Sequence, residues 1–307
     1  MLPDPSKFPM KAIVIVWGEE FTRAFDSFLF PAALKAGLLS DPRDTLEVYC
    51  SPSVETVLKH PQIRFHTCLS ESPGDRYSVI GDVMRQAIQE QFKPGEALLF
   101  LSPDVIYLSD FFHKMRLYLS FGYEAIVVPS FRADKRAFYN LPNLNPRETI
   151  AFALAHLHPI TVQLFYESFN CEFNWPSCLY FPTENALIGH VWHWSPMAIK
   201  TNEIVLNRGT IDSDFIQNSN LPDSKIYFVQ DSDDLCAIEL SFAERPMPGP
   251  AVANIKTIRD WAVLHTTLFD RRLFAKSIVW HSEDIDDSVL KTKLKAASIA
   301  DEILRSI

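Results

Sequence analysis

Several things are missing from this 307-residue sequence, and each absence removes a class of function. No apolar run approaches the roughly 20 residues that cross a bilayer as a helix. The N-terminal Met1-Leu-Pro-Asp-Pro-Ser-Lys-Phe-Pro9 lacks the charged-then-apolar pattern of a secretory leader. A cytoplasmic chain without a transmembrane segment is expected. No Lys/Arg run accompanies the formal net charge of −9, so the basic footprint of a nucleic-acid binder is missing and no nucleic-acid partner is expected. Arg271-Arg272 and the Lys291/Lys293/Lys295 group are the two places where an anionic lipid surface could attract the chain. Both read more simply as solvated helix faces; a peripheral position at the inner membrane face stays open.

The five cysteines, Cys50, Cys68, Cys171, Cys178 and Cys236, are odd in number and show no CxxC spacing. That argues against a disulfide framework and against a structural zinc site. Cys50 ends an apolar run and reads as a small core hydrophobe. A GxxxxGK[ST] loop, a GxGxxG turn, a GxSxG elbow and an HExxH helix are all missing. P-loop ATPase, dehydrogenase, α/β-hydrolase and zincin chemistry are correspondingly disfavoured.

What is present is an alternation of short apolar runs and amphipathic stretches, at 47% hydrophobic and 22% charged residues. Lys11-Ala-Ile-Val-Ile-Val-Trp17 reads as a strand buried on both faces and ended by Gly18. Phe21, Ala24, Phe25, Phe28 and Leu29 then recur at helical spacing. Further strands are expected at Leu46–Cys50, Ile63–His66, Ala97–Leu101 and Ala125–Val128. Helices are expected over Val54–Leu58 and Tyr77–Phe92, and a strand-like piece then a helix over Val105–Leu119. This alternation predicts a βαβ-built, largely parallel sheet, whose ligands sit at the carboxyl ends of the strands. Attention therefore falls on Trp17-Gly18, Ser51 and Ser102-Pro103-Asp104.

Beyond residue 130 helices are expected over 146–156 and 160–169. An aromatic- and proline-rich segment, 173–194, follows, then a strand-like run at 226–232. Arg245-Pro-Met-Pro-Gly-Pro250 is a break before a final helical stretch. The expected division is a main domain over 1–245 and a C-terminal helical extension over 246–307.

Candidate chemistry lies in a few places. Asp104, just after a buried strand, either offers a hard oxygen to Mg²⁺ or Mn²⁺ or caps the next turn. His193 either ligates a metal or phosphate or is a hydrogen-bonded core imidazole. Asp212 and Asp214 are paired carboxylates suited to general-base work, or else helix caps. Asp231-Ser-Asp-Asp234 reads as a solvated turn, with a metal role as its alternative. His156 and His158 diverge, so at most one faces a site. Trp17, Trp175, Trp192 and Trp194 offer ring faces to a sugar or pack a core.

Phe100-Leu-Ser-Pro-Asp-Val-Ile-Tyr107, His156-Leu-His-Pro159, Asn174-Trp-Pro-Ser177, Trp192-His-Trp-Ser-Pro196, Arg208-Gly-Thr-Ile-Asp-Ser-Asp214 and Val229-Gln-Asp-Ser-Asp233 together resemble segments of bacterial GT-A-fold glycosyltransferases. The resemblance implies a GT-A-like α/β fold, a mostly parallel sheet flanked by helices with a C-terminal acceptor-side elaboration. It further implies transfer of a sugar from a nucleotide-diphosphate donor to a hydroxyl of a glycan, lipid-linked or protein acceptor, as in surface-polysaccharide synthesis. It assigns donor binding to Trp17, Gly18, Ser51, Arg76, Ser102 and Asp104. Asp104 and His193 are implied to hold Mn²⁺ or Mg²⁺, although Ser102 stands where the first carboxylate of the Asp-x-Asp motif would be. The general base falls to Asp212 or Asp214, and the acceptor side to His158 and Trp175. The alternatives are a non-catalytic scaffold of the same fold and a metal-dependent phosphoryl-transfer enzyme or hydrolase.

Overall fold

A computed structural model describes residues 8–52, 54, 58–69, 76–94, 96–108, 110–139, 144–168, 177–192, 196–200, 221–241 and 252–307, without the side chains of 76–79 and 196–197. In chain order the first half gives β1 (Met10–Val16), α1 (Gly18–Ala24), a π-helical turn (Phe25–Leu29) and α2 (Phe30–Lys35). Next come β2 (Thr45–Cys50), β3 (Ile63–Thr67), α3 (Arg76–Gln91), β4 (Ala97–Leu101), β5 (Val105–Tyr107), α4 (Phe111–Ser120) and β6 (Ala125–Val127). The second half gives β7 (Ser130–Asp134), α5 (Lys135–Phe138), α6 (Pro146–Ala155), α7 (Pro159–Gln163), β8 (Cys178–Pro182), β9 (Ala186–Val191) and β10 (Pro196–Ile199). It closes with β11 (Ile226–Phe228), β12 (Ala237–Ser241), α8 (Ile255–His265), α9 (Leu268–Phe274), β13 (Ser277–His281) and α10 (Asp287–Arg305).

The chain forms two compact units, each assembled from two stretches: 1–128 with 195–228, and 129–194 with 229–307. The expected boundary at residue 245 lies outside the described residues, as does most of the helix expected over Val54–Leu58.

The first unit is an α/β layer on a seven-stranded sheet ordered β11-β6-β10-β4-β1-β2-β3. β1 runs parallel to both β2 and β4, β2 to β3 and β6 to β11, while β10 alone is antiparallel. The β4 run Ala97-Leu-Leu-Phe-Leu101 is buried throughout and β1 nearly so, the pattern of strands covered on both faces. The helix after Gly18 runs unbroken to Lys35 but is not α throughout. Pro31 has no N–H to give the helical ladder, and the turn just before it widens to π geometry.

In the second unit β7 and β12 pair in parallel, with Arg132 opposite Glu239 and ion-paired to it at 2.8 Å. β8 and β9 form an antiparallel hairpin, extended by β13 on the other side of β9. Ile258, Trp261, Ala262, Val289, Ala296, Ala300 and Ile303 from α8 and α10 bury against Leu179, Ile188, Trp192 and Val279.

Two expectations are corrected here, the helix over 160–169 and the wholly helical final stretch. The helix expected over 160–169 stops at Gln163, because the backbone beyond it is captured by a strand: Tyr180 N–H donates to the Leu164 carbonyl and Tyr166 N–H to the Tyr180 carbonyl. The 173–194 segment contains a hairpin, and the final stretch contains β13 as well as helices. Gly189 marks the close approach in that hairpin. A Cβ there would lie 2.7 Å from the Trp280 ring, so only glycine lets β9 carry the indole against its backbone.

Candidate functional site

The carboxyl ends of β1, β2 and β4 meet at one edge of the first unit, because the three strands are adjacent and parallel. The connection from β1 leads to β2 on one side, whereas β4 lies on the other side of β1. The crevice between the ends of β1 and β4 is therefore a topological switch point, where open α/β sheets bind ligands. Trp17-Gly18, Ser51 and Ser102-Pro103-Asp104 follow those three strands directly and are brought to this edge.

Gly18 sits at φ +65°, a left-handed conformation that lets the chain leave β1 and enter α1 at once. Its N–H points to the buried Ser51 Oγ at 3.4 Å, so the ends of β1 and β2 are linked. Trp17 is half-buried, its ring 4.5 Å from that of Phe21. The exposed Ser102 hydroxyl donates to Asp104 Oδ1 at 2.7 Å, which fixes the carboxylate over the end of β4. Arg76 opens α3, and its side chain is outside the described residues. His193, Trp175, Asp212 and Asp214 also lie outside them.

His158 belongs to the second unit and is buried. Its Nδ1 accepts from the Ile160 N–H at 3.1 Å, which makes it the cap of α7 rather than an acceptor-facing group. His156 is the exposed member of the pair.

The second unit holds a charged cluster of its own. Asp231 and Asp233 follow β11 in sequence, and His281 ends β13. His281 Nε2 lies 2.9 Å from Asp231 Oδ1 and 3.9 Å from Asp233 Oδ2, while Nδ1 is 2.6 Å from the Glu283 carbonyl, to which it donates. Arg147, at the start of α6, holds Asp233 with two nitrogens at 2.7 and 3.3 Å and Asp284 with a third at 2.7 Å. The ligand atoms of Asp231, Asp233 and His281 lie within 4.8 Å of one another, close enough to surround a divalent cation. Arg147 already pairs with Asp233 and Asp284, and His281 hydrogen-bonds Asp231, so these groups also form an ion network without a metal. Sequence reasoning singled out the aspartates but not His281. The signal it carried was its place at the end of the apolar run Ser277-Ile-Val-Trp280.

The hydrogen bond to Asp231 raises the His281 pKa, against burial, which would lower it. Burial alone would raise the Asp231 carboxyl, but the bonds from His281 and the Asp233 N–H hold it below the usual range. A raised histidine stabilises the fold fully below its unfolded value of about 6.5, and that contribution is lost as pH rises through the folded value. A lowered carboxylate contributes fully above about 4 and is lost on acidification. The melting temperature of wild type minus that of His281→Gln is therefore expected to be largest between roughly pH 4 and 6.5 and to shrink above that range. A difference that stays constant from pH 5 to 9 would show that His281 acts by packing alone, roughly as a neutral side chain does.

No protein-family model matches the chain, and no curated protein was found to match it.

Proposed function

We propose that the chain is a nucleotide-sugar-dependent glycosyltransferase of the GT-A type, with the donor held at the carboxyl edge of the first unit's sheet. The observation that carries this reading is the convergence of Trp17-Gly18, Ser51 and Ser102-Asp104 at the switch point between β1 and β4. An indole half open to solvent beside a tight glycine turn suits a flat base, and a carboxylate one strand away suits the diphosphate end of the donor.

The edge is acidic. Glu19 and Glu20 occupy the first turn of α1, and Asp104 follows β4, the strand beside β1. A diphosphate there requires a cation, and one carboxylate with a hydroxyl is a donor set that Mg²⁺ accepts when phosphate oxygens complete its shell. In this reading Asp104, with the Ser102 hydroxyl beside it, would hold the ion, which would supply positive charge for the leaving diphosphate. The acceptor hydroxyl loses its proton to Asp212 or Asp214. Ser102, standing where the first carboxylate of an Asp-x-Asp motif would be, favours one rival, a non-catalytic module of the same fold.

The test is thermal stabilisation by UDP, GDP, CMP and dTDP, each with and without Mn²⁺, on wild type and Asp104→Ala. A ligand at about 100 times its Kd adds roughly 2.7 kcal/mol to stability, a readily measured shift. One nucleotide is expected to stabilise the wild type only with metal, and Asp104→Ala to remove that shift. A shift independent of metal keeps the donor site and removes the ion from the mechanism. No shift with any nucleotide ends the transferase reading in favour of the module.

A further inference from the structure

The corner between α8 and α9 exposes large apolar side chains. Leu264 and Leu268 are each 77% exposed and Val263 is 54% exposed, and the two leucines are the most exposed large apolar residues among the described residues. The corner is nevertheless well built. The Thr267 hydroxyl and the Asp270 carboxylate form a capping box, Thr266 Oγ1 donates to the Ala262 carbonyl, and Trp261, Ala262, Phe269 and Leu273 anchor the two helices from behind. The exposed leucines therefore sit on a fixed scaffold. Exposed large apolar side chains gathered on one well-capped corner mark a contact surface.

Charge identifies the contact. The chain as a whole carries −9, yet residues 255–276 reverse that sign: Lys256, Arg259, Arg271, Arg272 and Lys276 against Asp260 and Asp270. One of those two carboxylates, Asp270, is buried in the capping box, which leaves Asp260 as the acidic group on this surface. Leu268 and Arg272 are four residues apart on α9, so that exposed leucine shares a helix face with a cation, whereas on α8 Asp260 precedes Leu264 by four residues and pairs with Lys256 and Arg259. The Arg272 guanidinium carbon lies over the Phe269 ring, 5.1 Å from its centre. Exposed apolar tips on a segment with an excess of cations match the boundary of an anionic bilayer, where side chains enter the acyl region and guanidinium and ammonium groups meet headgroup phosphates.

We infer that the α8–α9 corner docks on an anionic lipid surface by inserting Val263, Leu264 and Leu268 while its cations meet the headgroups. This goes beyond the donor site, uses none of its residues and stands whether or not the chain transfers a sugar. It also reassigns Arg271-Arg272 from a solvated helix face to the rim of a membrane contact. The basic run on α10 remains an alternative anchor to be separated by experiment, because Leu290 and Leu294 are exposed beside Lys291 and Lys295.

The experiment is cosedimentation of the full chain with phosphatidylcholine vesicles, with and without phosphatidylserine, at low and high salt. Binding is expected only with phosphatidylserine and is expected to weaken at high salt, as screened headgroup attraction must. Leu264→Asp with Leu268→Asp is expected to reduce binding at least about tenfold and leave the melting temperature unchanged, since both side chains are solvent-exposed. Leu290→Asp with Leu294→Asp is expected to leave binding intact. The inference is overturned if phosphatidylserine vesicles fail to sediment the chain, or if the α10 pair and not the corner pair removes binding. Concentration-dependent dimerisation abolished by Leu264→Asp, without vesicle binding, would overturn it in favour of a second copy as occupant.

Discussion

Arg116→Met is expected to destabilise the first unit by about 3–5 kcal/mol, because it strands a buried anion. Asp44 is completely buried. It accepts from Arg116 Nη1 and Nη2 at 3.2 and 2.7 Å, from the Met10 N–H at 2.9 Å and from the Asp41 N–H at 3.1 Å. Arg116 in turn donates to the Phe8 carbonyl at 2.9 Å. The pair thus ties α4 to the start of β1 and to the turn leading into β2. Methionine keeps the bulk of the stem but removes every donor, and the remaining carboxylate is held by backbone amides alone. Urea denaturation of wild type, Arg116→Met and the double variant Arg116→Met/Asp44→Asn measures this. The double variant is expected to recover part of the loss, since removing both charges of a buried pair is far less harmful than removing one. A single-variant loss below about 1 kcal/mol would mean that water reaches Asp44 and the pair behaves like a surface ion pair.

Trp192→Ala is expected to cost the second unit about 3–5 kcal/mol, as large aromatic truncations in cores do. Trp192 is wholly buried, stacked on Phe274 at 3.7 Å between centroids with 7° between the planes, and within 6.3 Å of the Trp261 ring. Of the two roles open to it from sequence, a sugar platform and a core residue, this burial selects the core. Trp192→Phe is expected to recover much of the loss, because an aromatic face is restored against Phe274. Far-UV circular dichroism in denaturant reads the stability. If Trp192→Ala is as stable as wild type yet loses binding to sugars or glycans, the core assignment fails.

Much of the first unit was legible in the residues alone. Runs such as Ala97–Leu101 and Met10–Val16 are apolar at every position or nearly so, and only a strand covered on both faces, as in a parallel sheet, is served by that pattern. A helix between such strands, such as Arg76–Gln91, completes the βαβ rhythm that predicts the sheet and the edge where Trp17, Gly18, Ser51 and Asp104 gather. The second unit was far less legible. Its strands carry signals that conflict with local propensity: Pro182 ends β8, and Gly189 and His190 lie inside β9. They are strands because each completes its neighbour's ladder and buries against α8 and α10, which are distant in sequence. The same holds for side-chain roles. Composition and spacing fixed the expectation that the chain is α/β and that carboxylates after strands deserve suspicion. Tertiary structure alone decided that His158 is a helix cap, that Trp192 is core and that His281 reaches Asp231 across fifty positions. Strand identity along a buried run follows from local hydrophobicity, whereas the partner of a polar side chain depends on which distant backbone brings an atom within about 3 Å.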